Sequence, residues 1–222
     1  DTEIFPDTNF RFEVLQKRLR ELSFLNAGVT IRLIDERVDK DGKIRDETYH
    51  APDGLAGYVR HLNTSKNTQS PVVAFVDEDE SIGLRAEIAL QYTDATNENL
   101  LPFGNNIFNP DGGTHVQGFK TALTRTINGY AKKNNLLKDL VPSGDDLREG
   151  LTAIVSIKIA DPQFNNQTKE KLLNQEAESF VSQLISDGFG PGSISTPPKP
   201  SRSPRRPCSP RKPGRRPARP AN

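Results

Sequence analysis

A short polar loop contains two side chains that could bind a phosphate. Gln167 and Lys169 lie in a polar run at positions 165–171, and an apolar pattern typical of a helix follows. A lysine on a loop that opens a helix can bring a point charge to a terminal phosphate, and a glutamine amide can donate a hydrogen bond beside it. Spacing alone does not distinguish such a site from an ordinary polar turn.

A glycine-rich segment could bind an anion at the start of another helix. Gly112, Gly113, Thr114 and His115 precede a helical pattern. Free backbone amides and the helix dipole favour phosphate at such a position. The segment matches neither the Walker pattern nor the dinucleotide pattern. We therefore favour a glycine turn in which Thr114 caps the helix.

Charged clusters suggest two weaker sites. Four consecutive acids at positions 77–80 could chelate a divalent cation, but their side chains should diverge, so a solvated turn is the favoured interpretation. Arg125, Lys132 and Lys133 should lie on the exposed side of a helix. This side could follow a DNA phosphate backbone, with Arg125 as the candidate DNA-facing residue, although a solvated face is the simpler interpretation.

Cysteine, histidine and hydropathy patterns exclude several protein classes. Cys208 is the single cysteine, and His50, His61 and His115 lack zinc-site spacing. No stretch approaches the roughly 20 apolar residues that span a membrane. The first seven residues contain three acidic residues and no basic one, whereas a secretory signal begins with basic residues. We expect no internal disulfide, no metal site, no membrane association and a cytoplasmic location.

Charge divides the chain into two chemically different parts. Residues 1–187 carry all 29 acidic residues and 21 of the 30 basic ones, a net charge of −8. Residues 188–222 carry the other nine basic residues and 10 of the 17 prolines. Proline at this density prevents regular helix, and too few apolar residues remain for a core. The pattern predicts an acidic globular body and a disordered Pro/Arg-rich tail.

Hydrophobic periodicity predicts alternating helices and strands in the body. Helical patterns occupy residues 10–25, 55–62, 114–134 and 169–185. Strand patterns occupy residues 29–38, 44–50, 72–76, 82–92 and 151–160. The first two strands flank a turn and should form a hairpin. A polar linker at 63–70 lacks periodicity and predicts a domain boundary, so the fold class is α/β, or more loosely α+β, in two parts.

Five separate motifs occur in the body. They are RLRELSFLN at 18–26, GVTIRLIDER at 28–37, DGGTH at 111–115, DLREGL at 146–151 and DPQFNNQTK at 161–169. In this order and spacing they resemble the ATPase subunits of type IIA DNA topoisomerases. The resemblance covers about residues 1–185. It favours the family of gyrase B subunits, with the family of topoisomerase IV B subunits second.

The resemblance implies an activity, cofactors and partners. In this family ATP and Mg²⁺ bind in an upstream domain of the GHKL type, and ATP dimerises two copies into a clamp around double-stranded DNA. The clamp drives strand passage through a break made by the gyrase A subunit, in a heterotetramer of two A and two B subunits. The resemblance therefore implies an ATP-dependent DNA topoisomerase, an isomerase that supercoils DNA negatively.

The resemblance also assigns domains and site residues. Residues 1–66 resemble the end of the ATPase domain. Residues 71–186 resemble the transducer, a ribosomal S5 domain 2-like fold whose βαβ crossover is left-handed, against the usual rule. By the same resemblance, Gln167 and Lys169 contact the γ-phosphate of ATP. The family's general base, Mg²⁺-binding asparagine and glycine-rich lid all precede this segment, so we expect no catalytic residue in it and no ATP hydrolysis by it alone.

Residues 187–222 depart from the family pattern. The family continues with a long helix that ends in an alanine- and arginine-rich run. Codons permitted for residues 211–222, read two nucleotides later, can encode such a run. We therefore expect that a frameshift produced residues 187–222; an in-frame nucleotide sequence without an insertion or deletion would contradict this. The rival interpretation is a disordered basic arm that binds nucleic acid.

A second function from another class also fits the sequence. The chain could be a noncatalytic nucleic-acid-binding module of S5-like fold with a basic arm. The two functions differ in whether the natural reading frame extends upstream into an ATPase core rich in asparagine and glycine.

Overall fold

The computed structural model describes residues 3–4, 9–38, 41–136 and 141–189. Helices and strands are mixed along these residues, which confirms the α/β class. No helix in the described ranges is long and apolar enough to cross a bilayer. The predicted tail at 187–222 lies outside the described residues from position 190 onward.

The first part of the chain contains two helices and a hairpin. Its elements are α1 (Phe12–Leu25), β1 (Thr30–Asp35), β2 (Arg45–His50) and α2 (Gly54–Leu62). The predicted helices and the predicted hairpin are confirmed, with β1 antiparallel to β2. The hairpin is fastened to α1, because Gln16 donates to the Glu47 carboxylate at 2.8 Å and the Arg45 guanidinium lies 4.2 Å from the Phe12 ring centroid.

A five-stranded sheet forms the centre of the second part. Its strands are β3 (Val73–Asp79), β4 (Leu84–Tyr92), β5 (Asn99–Gly104), β6 (Ile107–Phe108) and β7 (Leu151–Ile159). Their spatial order is β3-β4-β7-β5-β6. The central strand β7 is antiparallel to β4 and parallel to β5. Strands β5 and β6 were not predicted, since β5 contains Pro102, which cannot donate a ladder hydrogen bond, and β6 has only two residues.

Two long helices cover one face of this sheet. They are α3 (Thr114–Lys133) and α4 (Gln175–Gly188). Helix α3 lies in the crossover between the parallel strands β5 and β7; its left-handedness stays a prediction. The two helices pack closely at Gly118, where an added Cβ would overlap the backbone of Glu178.

The start of α4 differs from the prediction. The sequence predicts a helix from 169, whereas α4 begins six residues later at Gln175. The reason is local, because Lys169 has a φ of 59° and Leu172 forms β-bridges with Phe164 and Gly113. At its other end α4 includes two residues that the sequence assigns to the tail, and Phe189 packs on Phe75 with ring centroids 5.0 Å apart.

The sheet separates two apolar clusters, so the fold has three layers. Alternate residues of β4 and β7 point toward α3 and α4, where they pack with Phe119, Leu123 and Val181. Phe103 and Ile154 lie in the other cluster, with residues of α1 and α2: Leu25, Leu55, Tyr58 and Val59. Because both faces of the sheet are covered, eight of the nine residues of β7 are buried.

The predicted boundary at 63–70 begins with a residue that is packed against the sheet. Asn63 is buried, accepts a hydrogen bond from the Thr152 hydroxyl at 2.8 Å and donates one to the Gln91 amide oxygen at 3.0 Å. The end of α2 is therefore tied to two central strands of the sheet. The division into domains at 1–66 and 71–186 stays a prediction.

Candidate functional site

Gln167 and Lys169 lie in one turn of the loop that connects β7 to α4. The turn is closed at its base, because the Asn165 amide donates to the Lys171 carbonyl at 3.1 Å and the Lys171 amide donates to the Asn165 side chain at 3.0 Å. Inside it, the Lys169 amide donates to the Asn166 carbonyl at 3.1 Å. The structure thus places the two predicted phosphate contacts two positions apart on a compact turn.

The Lys169 side chain lies near the Phe164 ring and is partly exposed to solvent. Its ammonium lies 5.8 Å from the centroid of the Phe164 ring, a long cation–π distance. The side chain is partly exposed, and Gln167 is exposed. Among the described residues, no carboxylate lies within ion-pair distance of Lys169. Its charge is therefore available to an anionic ligand.

The glycine-rich segment before α3 holds this loop in place. The Asp111 amide donates to the Glu170 carbonyl, the Leu172 amide donates to the Gly112 carbonyl, and the Thr114 amide donates to the Leu172 carbonyl, each at 3.1 Å. This ladder occupies backbone groups that an anion would need. The favoured interpretation, a turn and not an anion site, agrees with the geometry.

The predicted capping role of Thr114 is wrong. Residue Gly113 is the N-cap of α3 and the cap has no side-chain hydrogen bond. The Thr114 hydroxyl donates instead to the Asn174 carbonyl at 2.6 Å, at the residue that precedes α4. Thr114 therefore joins the starts of the two helices.

His115 is fully buried beside this segment. Neither ring nitrogen has a hydrogen-bond partner among the described residues. Burial lowers the pKa of His115 from 6.5 to about 4, because the charged imidazolium cannot be solvated there. The ring is therefore neutral at physiological pH and acts as a core side chain.

The loop lies at the sheet edge that also contacts α1. Gly104 ends β5 beneath the loop, where an added Cβ would be 3.3 Å from the Phe164 ring. Two residues further on, the backbone carbonyl of Asn106 accepts a hydrogen bond from the Arg18 guanidinium at 2.8 Å. The side-chain amide of Asn106 donates to the side-chain oxygen of Asn26 at 3.2 Å. The turn between β5 and β6 thus lies between the loop and the first part of the chain.

Arg125 lies elsewhere, on the exposed side of α3. Its guanidinium donates to the hydroxyls of Ser182 at 3.3 Å and Ser186 at 3.0 Å. These serines lie in the second half of α4, whereas Lys169 precedes that helix, so the structure does not bring Arg125 to the phosphate candidates. The predicted exposure of Arg125, Lys132 and Lys133 is confirmed.

The predicted turn at 77–80 is wrong for three of its four residues, because 77–79 lie in β3 and have local contacts. Asp79 accepts hydrogen bonds from the Ser81 amide at 2.9 Å and its hydroxyl at 2.6 Å, and Glu78 pairs with Arg85 at 3.0 Å. Hydrogen bonds from Ser81 lower the pKa of Asp79. The described ranges contain no group of three metal-ligating side chains.

Comparison with protein families gives one match that covers most of the chain. The family model described as DNA gyrase B matches residues 54–192. The B subunit of the DNA gyrase of Clostridium acetobutylicum is 49% identical over 189 residues, which cover 84% of this chain and 29% of that protein. The B subunit of the DNA gyrase of Halalkalibacterium halodurans is 45% identical and covered to the same 29%. The chain therefore spans under a third of these relatives.

Solved structures show the same similarity. The 43K ATPase domain of Thermus thermophilus gyrase B, in complex with an aminocoumarin, superimposes with a TM-score of 0.71 at 33% identity, over 84% of this chain and 49% of that one. The B-subunit of the Myxococcus xanthus DNA gyrase gives a TM-score of 0.72 at 26% identity, over 85% and 52%. A topoisomerase IV ATP-binding domain of Francisella tularensis gives 0.62 at 28% identity, over 82% and 47%.

Proposed function

The chain belongs to the DNA gyrase B family, and we propose that it is part of an ATP-dependent type II DNA topoisomerase. The intact protein would couple the binding and hydrolysis of ATP to DNA strand passage and negative supercoiling. Its proposed partners are double-stranded DNA, the gyrase A subunit, and a second copy of itself, and its proposed location is the cytoplasm. The similarity to gyrase B over 84% of the chain supports this function. It favours an enzyme part over a noncatalytic nucleic-acid-binding module.

Within this enzyme, Lys169 and Gln167 are proposed to bind the γ-phosphate of ATP. The observation that carries this role is the Lys169 ammonium, which has no carboxylate partner among the described residues and lies on a turn held by a backbone ladder. A lysine so placed supplies a fixed positive charge, and the exposed Gln167 amide can donate beside it. These two side chains thus fit the γ-phosphate of a nucleoside triphosphate.

Mg²⁺ is proposed to bind together with ATP. It usually keeps several waters and is held by one or two carboxylates and the substrate phosphates, and the described residues contain no group of three ligating side chains that would bind it without the nucleotide. Its ligands are proposed to lie in the part of the intact protein outside this chain.

The proposed mechanism is a switch between two nucleotide states. A ligand shifts a conformational equilibrium only through a difference in its contacts between the states. The γ-phosphate is present before hydrolysis and absent from ADP, so a contact from Lys169 provides such a difference. The loop continues directly into α4, which packs on α3 and the sheet. Loss of the phosphate contact can therefore change the position of α4 relative to the rest of the fold.

DNA is proposed to lie along the exposed side of α3. Arg125, Lys132 and Lys133 are exposed there, and cationic side chains bind phosphate backbones without sequence preference. The two serine contacts hold the Arg125 guanidinium at the surface of the α3 and α4 pair.

The phosphate role is tested by exchanging Lys169 for alanine in the intact protein. A charged hydrogen bond contributes about 1.5–3 kcal/mol, so Lys169→Ala should lower kcat/KM for ATP roughly 10- to 100-fold. Lys171→Ala is the matched control, because Lys171 is an exposed lysine of the same turn. Wild-type turnover by Lys169→Ala, or equal losses in both variants, would contradict the role.

A further inference from the structure

We propose that Asn109 is the positioning residue that aims Lys169 at the terminal phosphate. The inference rests on the proposed phosphate role of Lys169 and adds a residue 60 positions away in sequence. Asn109 follows β6 and is completely buried. Its side-chain amide donates to the backbone carbonyl of Lys169 at 2.6 Å.

The orientation of the Asn109 amide is fixed by its surroundings. The Lys169 carbonyl can only accept, so the nitrogen of the Asn109 amide must face it. The oxygen, Oδ1, is then buried without a partner among the described residues. It lies above Gly104, where an added Cβ would be 3.0 Å from Oδ1. Asn109 therefore leaves one buried acceptor unsatisfied while its nitrogen holds the carbonyl of Lys169.

The Asn109 backbone is itself fixed on two sides. Its amide donates to the Pro102 carbonyl at 3.0 Å, and its carbonyl accepts from the Gly112 amide at 2.8 Å. The first contact ties Asn109 to β5, and the second closes the turn that leads into α3. Asn109 is thus a rigid support from which the loop is held.

The contact with Asn109 holds Lys169 in an unfavourable backbone conformation. Lys169 has a φ of 59°, a left-handed conformation that a lysine rarely adopts. The Lys169 carbonyl is held by Asn109, and the next carbonyl, of Glu170, is held by Asp111. The ψ angle of Lys169 sets the direction of its carbonyl relative to its own Cα, so the Asn109 contact restricts the Lys169 backbone directly. Without Asn109, Lys169 loses the contact that favours this conformation, and the direction of its side chain is no longer fixed.

The test compares nucleotides with and without the γ-phosphate in the intact protein. For wild type, Asn109→Ala, Lys169→Ala and the double variant, the dissociation constants of ADP and of a non-hydrolysable ATP analogue are measured by calorimetry. Removal of a neutral hydrogen bond corresponds to about a 3- to 10-fold change, so Asn109→Ala should weaken the analogue by that factor and leave ADP unchanged. The double variant should bind the analogue no more weakly than Lys169→Ala alone.

Two further variants separate positioning from a general loss of packing. Asn109→Leu keeps the branched shape and the number of side-chain heavy atoms without the donor, and it should give the same change in affinity if the alanine variant does not fold. Asn128→Ala is the matched control, because Asn128 also donates to a backbone carbonyl, that of Pro142 at 3.2 Å, and also has a buried Oδ1 without a partner among the described residues. It lies in α3, away from the loop, and should not change the ratio of analogue to ADP affinity.

The outcomes distinguish this inference from the function on which it rests. If Lys169→Ala loses the preference for the analogue and both Asn109 variants keep it, the positioning role is wrong and the phosphate role stands. Additive losses in the double variant would also overturn the positioning role, because Asn109 would then act independently of Lys169. If Lys169→Ala keeps the preference, the phosphate role fails and the inference fails with it.

Discussion

Gly113 and Leu172 lie in such close contact that no side chain fits between them. A Cβ added to Gly113 would overlap the Leu172 carbonyl oxygen and lie 2.7 Å from the Leu172 nitrogen. Gly113 also has a φ of 138°, which L residues rarely adopt. The two residues form the parallel bridge that fastens the loop carrying Gln167 and Lys169 to the start of α3.

Gly113→Ala should therefore selectively loosen the loop that carries Gln167 and Lys169. Overlap with backbone forces a shift that costs about 1–3 kcal/mol, and hydrogen exchange of the Leu172 amide should accelerate accordingly. Gly129→Ala in the same helix is the matched control, since nothing lies within 4 Å of its added Cβ. It should instead stabilise α3 by about 0.5–1 kcal/mol. Unchanged protection of Leu172 in Gly113→Ala would refute the fastening role.

His115 should make the fold less stable in acid. Its pKa is lowered from 6.5 to about 4 by burial, so between these values the unfolded chain binds a proton that the folded chain does not. The free energy of unfolding should therefore fall as pH falls, by roughly 3 kcal/mol between pH 7 and 4. His115→Leu should remove this component, as measured by urea denaturation from pH 8 to 4. Parallel pH profiles for wild type and His115→Leu would show that the burial does not act in this way.

Arg125 should contribute to nonspecific DNA binding by the intact protein. Removal of one phosphate contact corresponds to about one unit in the slope of log affinity against log salt concentration. We expect Arg125→Ala to reduce that slope by about one and to weaken all duplex sequences alike, as measured by fluorescence anisotropy. Arg32→Ala is the control, because Arg32 is an exposed arginine of the hairpin that pairs with Asp46. An unchanged slope in Arg125→Ala would remove the predicted DNA contact.

Local pattern was enough to predict most elements of the fold. Helices α1 and α3, the β1 and β2 hairpin and strand β7 each follow from their own periodicity. Strand β5 does not, because it forms by parallel pairing with β7, which lies far away in sequence. The start of α4 was misplaced because Leu172 continues an apolar helical pattern although it forms bridges in the loop.

The candidate site was predictable only in part. Lys169 and Gln167 were identified through family resemblance, since a polar turn carries no signal of its own. Asn109 was missed, because nothing in its sequence neighbourhood indicates that its amide meets a carbonyl 60 residues later. The function of Gly113 was missed for the same reason, as its close contact with Leu172 exists only after folding.

A contact between Lys169 and the phosphate that hydrolysis removes is the basis of the proposed switch. It is tested most directly by a crystal structure of the intact protein with a non-hydrolysable ATP analogue, in which one distance is measured, from the Lys169 ammonium nitrogen to the nearest γ-phosphate oxygen. We expect a charge-assisted hydrogen bond of about 2.7–2.9 Å. An ammonium that remains over the Phe164 ring, with no γ-phosphate oxygen within about 4 Å, would contradict the claim.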